Sequence, residues 1–167
     1  MEPVSRTGEM RRLIALAAAC AFVVACGGVD RKKFDAVSKA GSALQTELQS
    51  SSGVPGPQSR DRLKQFDAEI NALRDRTIGT HEADALQAYA EAADAYRYFL
   101  RFRAIDTEGE GRQILLKGPN LEVATRYKLP IDTRNGAKWV NRGQAITILL
   151  QAGEQHLSDG NRIVSGQ

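Results

Sequence analysis

Apolar residues after residue 30 recur at steps of three and four, the spacing of one face of an α-helix. The first such stripe follows Asp30, a residue type that caps helix N-termini, and predicts a helix over residues 31–51. Glycine and proline at positions 53–57 interrupt helical hydrogen bonding and predict a loop after it. The stripe consists of Phe34, Val37, Gly41, Leu44 and Leu48.

Two further helices follow with the same spacing. Ser59 is the expected N-cap of the second helix, which should end near Gly79, and Thr80 is the expected N-cap of the third. The third helix has two apolar rows, so we expect it to lie centrally or to present a face to a partner. The residues of these stripes are Leu63, Phe66, Ile70 and Leu73, then Leu86, Tyr89, Ala93, Tyr96 and Leu100, with Ala95, Tyr98, Phe102 and Ile105 as the second row.

A fourth helix is predicted from near Ala137 or Asn141 to about Val164, with Trp139 one heptad before Ile146. Asn141 and Gln144 have roughly the spacing of a capping box. Glycines within the stripe are unfavourable in a helix and suggest close contact with a neighbouring helix or a frayed end. The inward positions are Ile146, Leu149, Leu150, Gly153, Leu157, Gly160 and Val164.

Glycine and proline break the pattern over residues 106–136, between the third and fourth helices. A structureless loop of that length is unusual in a compact domain. We therefore expect residues 112–117 to extend helix three irregularly and residues 119–128 to form a short crossing helix, with Pro119 in its first turn. No segment shows sustained strand alternation. The sequence predicts one all-α domain over residues 31–167, a bundle of about four main helices with an irregular capping segment.

The first 25 residues have the organisation of an export signal. Arg6, Arg11 and Arg12 precede twelve apolar residues at 13–24, and the small residue Ala25 follows. Twelve residues rise only about 18 Å as a helix, well short of the roughly 30 Å hydrocarbon layer. We therefore predict a cleaved signal peptide rather than a permanent membrane span.

Val23, Val24, Ala25 and Cys26 follow the order aliphatic, aliphatic, small, cysteine. With this residue order after an export signal, the chain resembles bacterial lipoprotein precursors over residues 1–28. The resemblance implies a diacylglycerol on the Cys26 thiol, cleavage before it, and acylation of the new amine. It also implies a periplasm-facing position in the cell envelope, and Gly27 in place of Asp favours the outer membrane. The alternative is an ordinary signal-peptidase site, which would release a soluble periplasmic or secreted protein.

Removal of residues 1–25 would leave 142 residues, with 20 basic and 18 acidic side chains. This near equality of basic and acidic side chains does not favour nucleic-acid binding. Cys20 would be lost with the signal, so the mature chain could form no intramolecular disulfide. Residues 26–30 would be a tether reaching at most about 14 Å. Such a tether would hold Arg31, Lys32 and Lys33 near the lipid headgroups. The alternative is that these residues form a solvated first helical turn.

No catalytic or metal-binding motif is evident. His81 and His156 are the only histidines, and neither lies in a Glu-x-x-His or His-Glu-x-x-His unit. There is also no Gly-x-Ser-x-Gly elbow. We predict no catalytic residue, metal or cofactor, and a protein that is not an enzyme.

One stretch suggests contacts with a partner or ligand, because aromatic and arginine side chains are enriched in binding hot spots. Its candidate residues are Tyr96, Arg97, Arg101 and Arg103. The alternative is that the rings fill the core while the arginine stems cover its edge. The sequence leaves the oligomeric state open.

These observations favour a lipid-anchored envelope protein whose helical domain is a binding or structural module for another envelope protein. A second hypothesis is a small-ligand receptor, with an aromatic pocket between helices three and four lined by Tyr89, Tyr96 and Trp139. A third is a soluble exported helical protein, and a fourth is an enzyme without a recognisable motif. Helical bundles host many functions, so fold alone does not decide among them.

Overall fold

The computed structural model describes residues 29–50, 56–76, 79–105 and 112–167; the predicted signal peptide and lipobox, including Cys26, lie outside the described residues. The described chain is mostly helical, with one small antiparallel sheet. Its elements are α1 (Arg31–Ser50), α2 (Pro57–Arg74), α3 (Thr80–Ala104), β1 (Gln113–Leu115), α4 (Pro119–Arg126), β2 (Ile131–Arg134), β3 (Ala137–Asn141) and α5 (Arg142–Ser165).

The four long helices α1, α2, α3 and α5 pack with neighbours antiparallel, and the α3–α5 contact is the most extensive. Tyr89 lies where they meet. Its ring stacks on Phe34 of α1 at 6.0 Å between centroids and meets Phe66 of α2 edge-on at 6.4 Å. All three rings are fully buried. The apolar stripes predicted for these helices therefore form one core.

Two glycines of α5 allow α3 to approach closely. A methyl group on Gly153 would lie 2.9 Å or less from three atoms of the Tyr96 ring, and one on Gly160 would lie 3.0–3.2 Å from the Tyr89 ring. Both tyrosines are fully buried. The close contact expected from the unfavourable glycines in this helix is confirmed.

The sheet has the strand order β1-β3-β2, and both pairings are antiparallel. β2 and β3 form a hairpin whose two-residue turn is Asn135 and Gly136, with φ of 50° and 76°. Positive φ at both central residues is typical of a type I′ turn, for which Asn-Gly is the preferred pair. β3 runs directly into α5, and the Asn141 side chain accepts a hydrogen bond from Gln144 N at 3.1 Å.

The prediction of an all-α fold was wrong in this region. Residues 113–115 form β1 rather than an extension of helix three, and Trp139 lies in β3 rather than in the fourth helix, which begins at Arg142. The strands have only three to five residues, too few to show sustained alternation. The crossing helix that begins at Pro119 and the Asn141 cap were predicted correctly.

Two predicted caps were also wrong. Gly56 and Gly79 occupy the N-cap positions of α2 and α3, one or more residues before Ser59 and Thr80. Ser59 is instead fully buried, and its hydroxyl lies 3.4 Å from Glu47 Oε1. None of the helices in the described ranges has an apolar stretch long enough to span a bilayer.

The glycine contacts predict that alanine is poorly tolerated at position 153 of α5 and well tolerated at position 160. Gly153→Ala should lower the free energy of unfolding by about 1–2 kcal/mol, because overpacking against the Tyr96 ring outweighs the helix propensity gained. Gly160→Ala is the matched control and should stay within about 1 kcal/mol of the wild type. Chemical denaturation would measure both, and a Gly153→Ala protein as stable as the wild type would contradict the packing described.

Candidate functional site

One end of the bundle is formed by the start of α1, the start of α3 and the last turn of α5. Glu82 is buried there, accepts hydrogen bonds from Asp30 N at 3.3 Å and Gly79 N at 3.4 Å, and pairs with Lys33 Nζ at 3.2 Å. Burial opposes its ionisation, but these hydrogen bonds from Lys33, Asp30 and Gly79 lower the pKa of Glu82. We call this the tether end, because residues 29 and 30, the described part of the predicted tether, lie here.

The sheet lies at the opposite end, beyond the last turn of α3 and the first turn of α5. Arg142, the first residue of α5, donates from its backbone N–H to Arg112 O at 2.9 Å and from its guanidinium to Arg103 O at 2.5 Å. We call this the sheet end. The 24 residues of α5 span about 36 Å between the two ends.

The four predicted contact residues do not converge on one surface. The Tyr96 side chain is fully buried in the α3–α5 interface. Arg97 donates to Asp67 at 2.8 and 2.9 Å and also pairs with Asp94. Arg101 is exposed, and the Arg103 guanidinium lies 5.4 Å from the Phe99 ring centroid. Tyr96 therefore belongs to the core, and the three arginines have separate surroundings.

A polar groove of about 330 Å³ lies between α2 and α3. Its charged groups largely neutralise one another, since Arg97 bridges the carboxylates of Asp67 and Asp94. Arg126 of α4 also approaches Asp94, at 3.4 Å. This network connects α2, α3 and α4. Its arrangement is typical of a surface that stabilises helix packing.

Two of the three rings proposed for a ligand pocket pack against glycines of α5 instead. Tyr89 and Tyr96 occupy the spaces beside Gly160 and Gly153, and Trp139 belongs to the sheet. The Tyr89 hydroxyl donates to Asn161 Oδ1 at 2.7 Å. A small-ligand receptor would therefore need a different cavity.

The Tyr96 hydroxyl differs from that of Tyr89. It is buried without a hydrogen-bond partner among the described residues. Burial, together with the nearby Glu154 carboxylate, raises the pKa of Tyr96. The Tyr96 ring fills the space beside Gly153.

The histidines are also separate from one another. His156 Nδ1 lies 3.2 Å from Glu91 Oε2, and His81 is exposed in the first turn of α3. Within the described ranges no three His, Cys, Asp or Glu side chains are grouped as metal ligands would be.

An apolar depression of about 440 Å³ opens at the sheet end, between the start of β2 and the first two turns of α5. Ile131, which follows Pro130 at its rim, is 38% exposed and is the one large apolar side chain that the described residues expose. We call this the sheet-end depression. Its lining residues are Pro130, Asn141, Gly143, Gln144, Thr147 and Ile148.

The backbone of β3 divides its hydrogen bonds between two neighbours. Leu116 N donates to Lys138 O at 2.8 Å, and Arg142 N donates to Arg112 O at 2.9 Å, so Lys138 and Arg142 turn their backbone groups toward β1. Adjacent residues of an antiparallel strand turn these groups to opposite sides. The backbone of Trp139 therefore faces β2.

The same alternation leaves one side of β2 open. Asp132 is paired with Trp139, so its backbone groups face β3. Those of Ile131 and Thr133 must then point away from β3, toward the outer side of the sheet. All four residues of β2 are exposed. We call this outer side the β2 edge.

Comparison of the chain with protein-family models, curated proteins and solved structures found no match. The β2 edge and the sheet-end depression were not predicted from the sequence. The Asn135-Gly136 pair between Ile131 and Trp139 was the signal that could have indicated the hairpin.

The two buried tyrosines predict opposite effects on replacement by phenylalanine at neutral pH. Tyr96→Phe should leave the free energy of unfolding unchanged or raise it by up to about 1 kcal/mol, because it removes a buried hydroxyl that has no partner. Tyr89→Phe should lower it by about 1 kcal/mol, because Asn161 loses a donor. Urea denaturation of both variants would measure the difference, and the reverse order would contradict these environments.

The same rings predict a loss of stability in alkali. Burial raises the pKa of Tyr89 to about 12, despite an opposing hydrogen bond with Ser38, and also raises that of Tyr96, whereas an unfolded tyrosine ionises near pH 10. Between about pH 10 and 12 the unfolded chain releases these protons and the folded chain keeps them, so stability falls as the pH rises. Denaturation at pH 8 and pH 11 should show a smaller loss for Tyr96→Phe than for the wild type. An equal loss would place the ring outside the core.

Proposed function

We propose that this chain is a lipid-anchored protein of the bacterial cell envelope, whose helical domain is a non-enzymatic binding or structural module. The observation that carries the proposal is the sequence Val23-Val24-Ala25-Cys26 directly after an apolar export signal. Two or more acyl chains on Cys26 would give stable attachment to a membrane. The proposed position is periplasm-facing, and Gly27 favours the outer membrane.

The geometry of the tether end supports this proposal. Only residues 27–29 separate Cys26 from Asp30, whose side chain accepts a hydrogen bond from Lys32 N at 3.1 Å at the start of α1. The tether would therefore hold the start of α1 close to the bilayer. Arg31 and Lys32 are exposed there, and each would gain roughly 1 kcal/mol beside anionic headgroups.

The distance between the two ends supports the role of a binding module. With the tether end at the membrane, the length of α5, about 36 Å, separates the sheet end from it. The sheet end carries the open β2 edge, to which a further strand can add, and the apolar sheet-end depression lies beside it. We propose that this end contacts a partner protein of the envelope.

The anchor predicts a defined chemical and physical difference between two cysteine variants. The mature wild-type protein should carry diacylglycerol and an acyl chain on Cys26, and should stay in membranes washed with high salt. Cys26→Ser should lose the lipid and leave the membrane fraction, whereas the matched control Cys20→Ser should behave as the wild type. Mass spectrometry and membrane fractionation would measure this, and an unmodified Cys26 in the wild type would refute the anchor.

The binding role can be tested separately by crosslinking in intact cells and purification through a C-terminal tag. A protein recovered with the wild type, but not when Ile131→Glu disrupts the sheet end, would support the module. Recovery of the same protein with both forms would place its contact elsewhere. A bound small molecule without any protein would favour a receptor.

A further inference from the structure

The exposed strand at the sheet end is complementary to itself. We propose that the β2 edge pairs antiparallel with β2 of a second copy of this chain, joining two three-stranded sheets into one of six strands. The inference deepens the proposed function, since it identifies a partner for the sheet end. Every residue that takes part in this pairing lies within the ranges that the structure describes.

Backbone direction restricts how two such edges can meet. Only Ile131 and Thr133 turn their N–H and C=O groups outward, so these residues must lie opposite each other in the joined strands. Three registers satisfy this condition. They place Ile131 opposite Ile131, Ile131 opposite Thr133, or Thr133 opposite Thr133 of the second copy.

Charge selects among these three registers. The Thr133–Thr133 register places Asp132 of each chain opposite Arg134 of the other, which gives two pairs of opposite charge. The Ile131–Thr133 register places the two Asp132 carboxylates directly opposite each other, and like charges in that position are destabilising. The Ile131–Ile131 register places Asp132 opposite Pro130 and forms no charge pair. The self-complementary register is therefore the one centred on Thr133.

Exchange of charge partners between the two copies is feasible at this edge. Within one chain Arg134 pairs with Asp132 at 2.5 Å, and both side chains are well exposed, at 63% and 48%. An exposed ion pair of this kind contributes little to stability. Re-pairing with the second copy would therefore cost little and would retain the attraction of opposite charges.

The shape of the sheet end fits the same register. Ile131 of one chain would face Asn135 of the other, and Pro130 would face Gly136. The turn of the second copy would then lie over the sheet-end depression and cover the exposed Ile131 side chain. A side-chain carbon built on Gly136 has no other atom within 4 Å, so this side of the turn is open.

The length of the edge limits the strength of this pairing. β2 has four residues, and stable interfaces between free proteins usually bury more than about 1,000 Å². Pairing should therefore be weak between dilute free chains. Attachment of both copies to one membrane would raise their effective concentration, and this step rests on the proposed lipid anchor.

Variants of the full chain with one introduced cysteine, oxidised in native membranes, would determine the register. Thr133→Cys should form a disulfide-linked dimer at least about fivefold more efficiently than Ile131→Cys, because only residue 133 faces its own copy in this register. The wild type controls for crosslinking through Cys26. Equal dimer yields from the two variants, or more from Ile131→Cys, would overturn the proposed pairing.

Charge reversal provides an independent test in the Thr133→Cys background. Asp132→Arg alone and Arg134→Asp alone should each reduce dimer yield about fivefold. In a dimer of either variant, residue 132 of each chain lies opposite a like charge at residue 134 of the other chain. Co-expression of the two variants with different tags should restore a mixed dimer, because every cross-strand pair is then of opposite charge. The pairing within each chain remains broken in the mixture, so recovery can come only from contacts between copies. Unchanged yields, or no recovery, would refute the proposal.

The two proposals can fail separately. A dimer formed by Thr133→Cys, together with an unmodified Cys26, would support the pairing and refute the anchor. A lipidated Cys26, together with no preferential crosslink at Thr133, would support the anchor and refute the pairing.

Discussion

The close approach of α3 and α5 is the contact on which the domain depends. Two tyrosine rings of α3 occupy the spaces that Gly153 and Gly160 leave on α5. A side chain at position 153 would hold the helices apart, whereas a methyl group at position 160 would be in tight contact with the Tyr89 ring. Tyr89 also contacts Phe34 of α1 and Phe66 of α2, so the same interface positions the other two long helices. Helix propensity is lost at the glycines, and ring burial compensates for it.

This antiparallel packing gives the domain two chemically different ends. The tether end has a buried carboxylate, Glu82, that holds the starts of α1 and α3 together through hydrogen bonds. The sheet end has short strands, an exposed isoleucine and an open edge. A chain anchored at the first end would present the second to other proteins. The proposed pairing of β2 edges would use that end for association between copies.

Sequence patterns succeeded where one periodic signal extended over many residues. The long helices each carry four or more apolar positions on one face, so their existence was predictable, as were the Asn141 cap and the helix that starts at Pro119. The sheet was missed because strands of three to five residues contain at most two and a half cycles of alternation, and all four residues of β2 are exposed. Tyr96 and Arg97 are neighbours in sequence, yet one is buried and the other is on the surface. Their aromatic and arginine stretch therefore did not indicate a single site.

The sequence alone determined the mostly helical character of the domain and the resemblance to lipoprotein precursors, because both depend on residues close together in the chain. Only the tertiary structure decided which surfaces remain open. The two-residue turn at Asn135 and Gly136 fixes the β2–β3 register locally and so turns the backbone groups of Ile131 and Thr133 away from β3. Whether those groups then face a neighbour or solvent depends on β1, which pairs with β3 rather than with β2. α4 separates β1 from the hairpin in sequence, and no local pattern specifies which strand β1 joins.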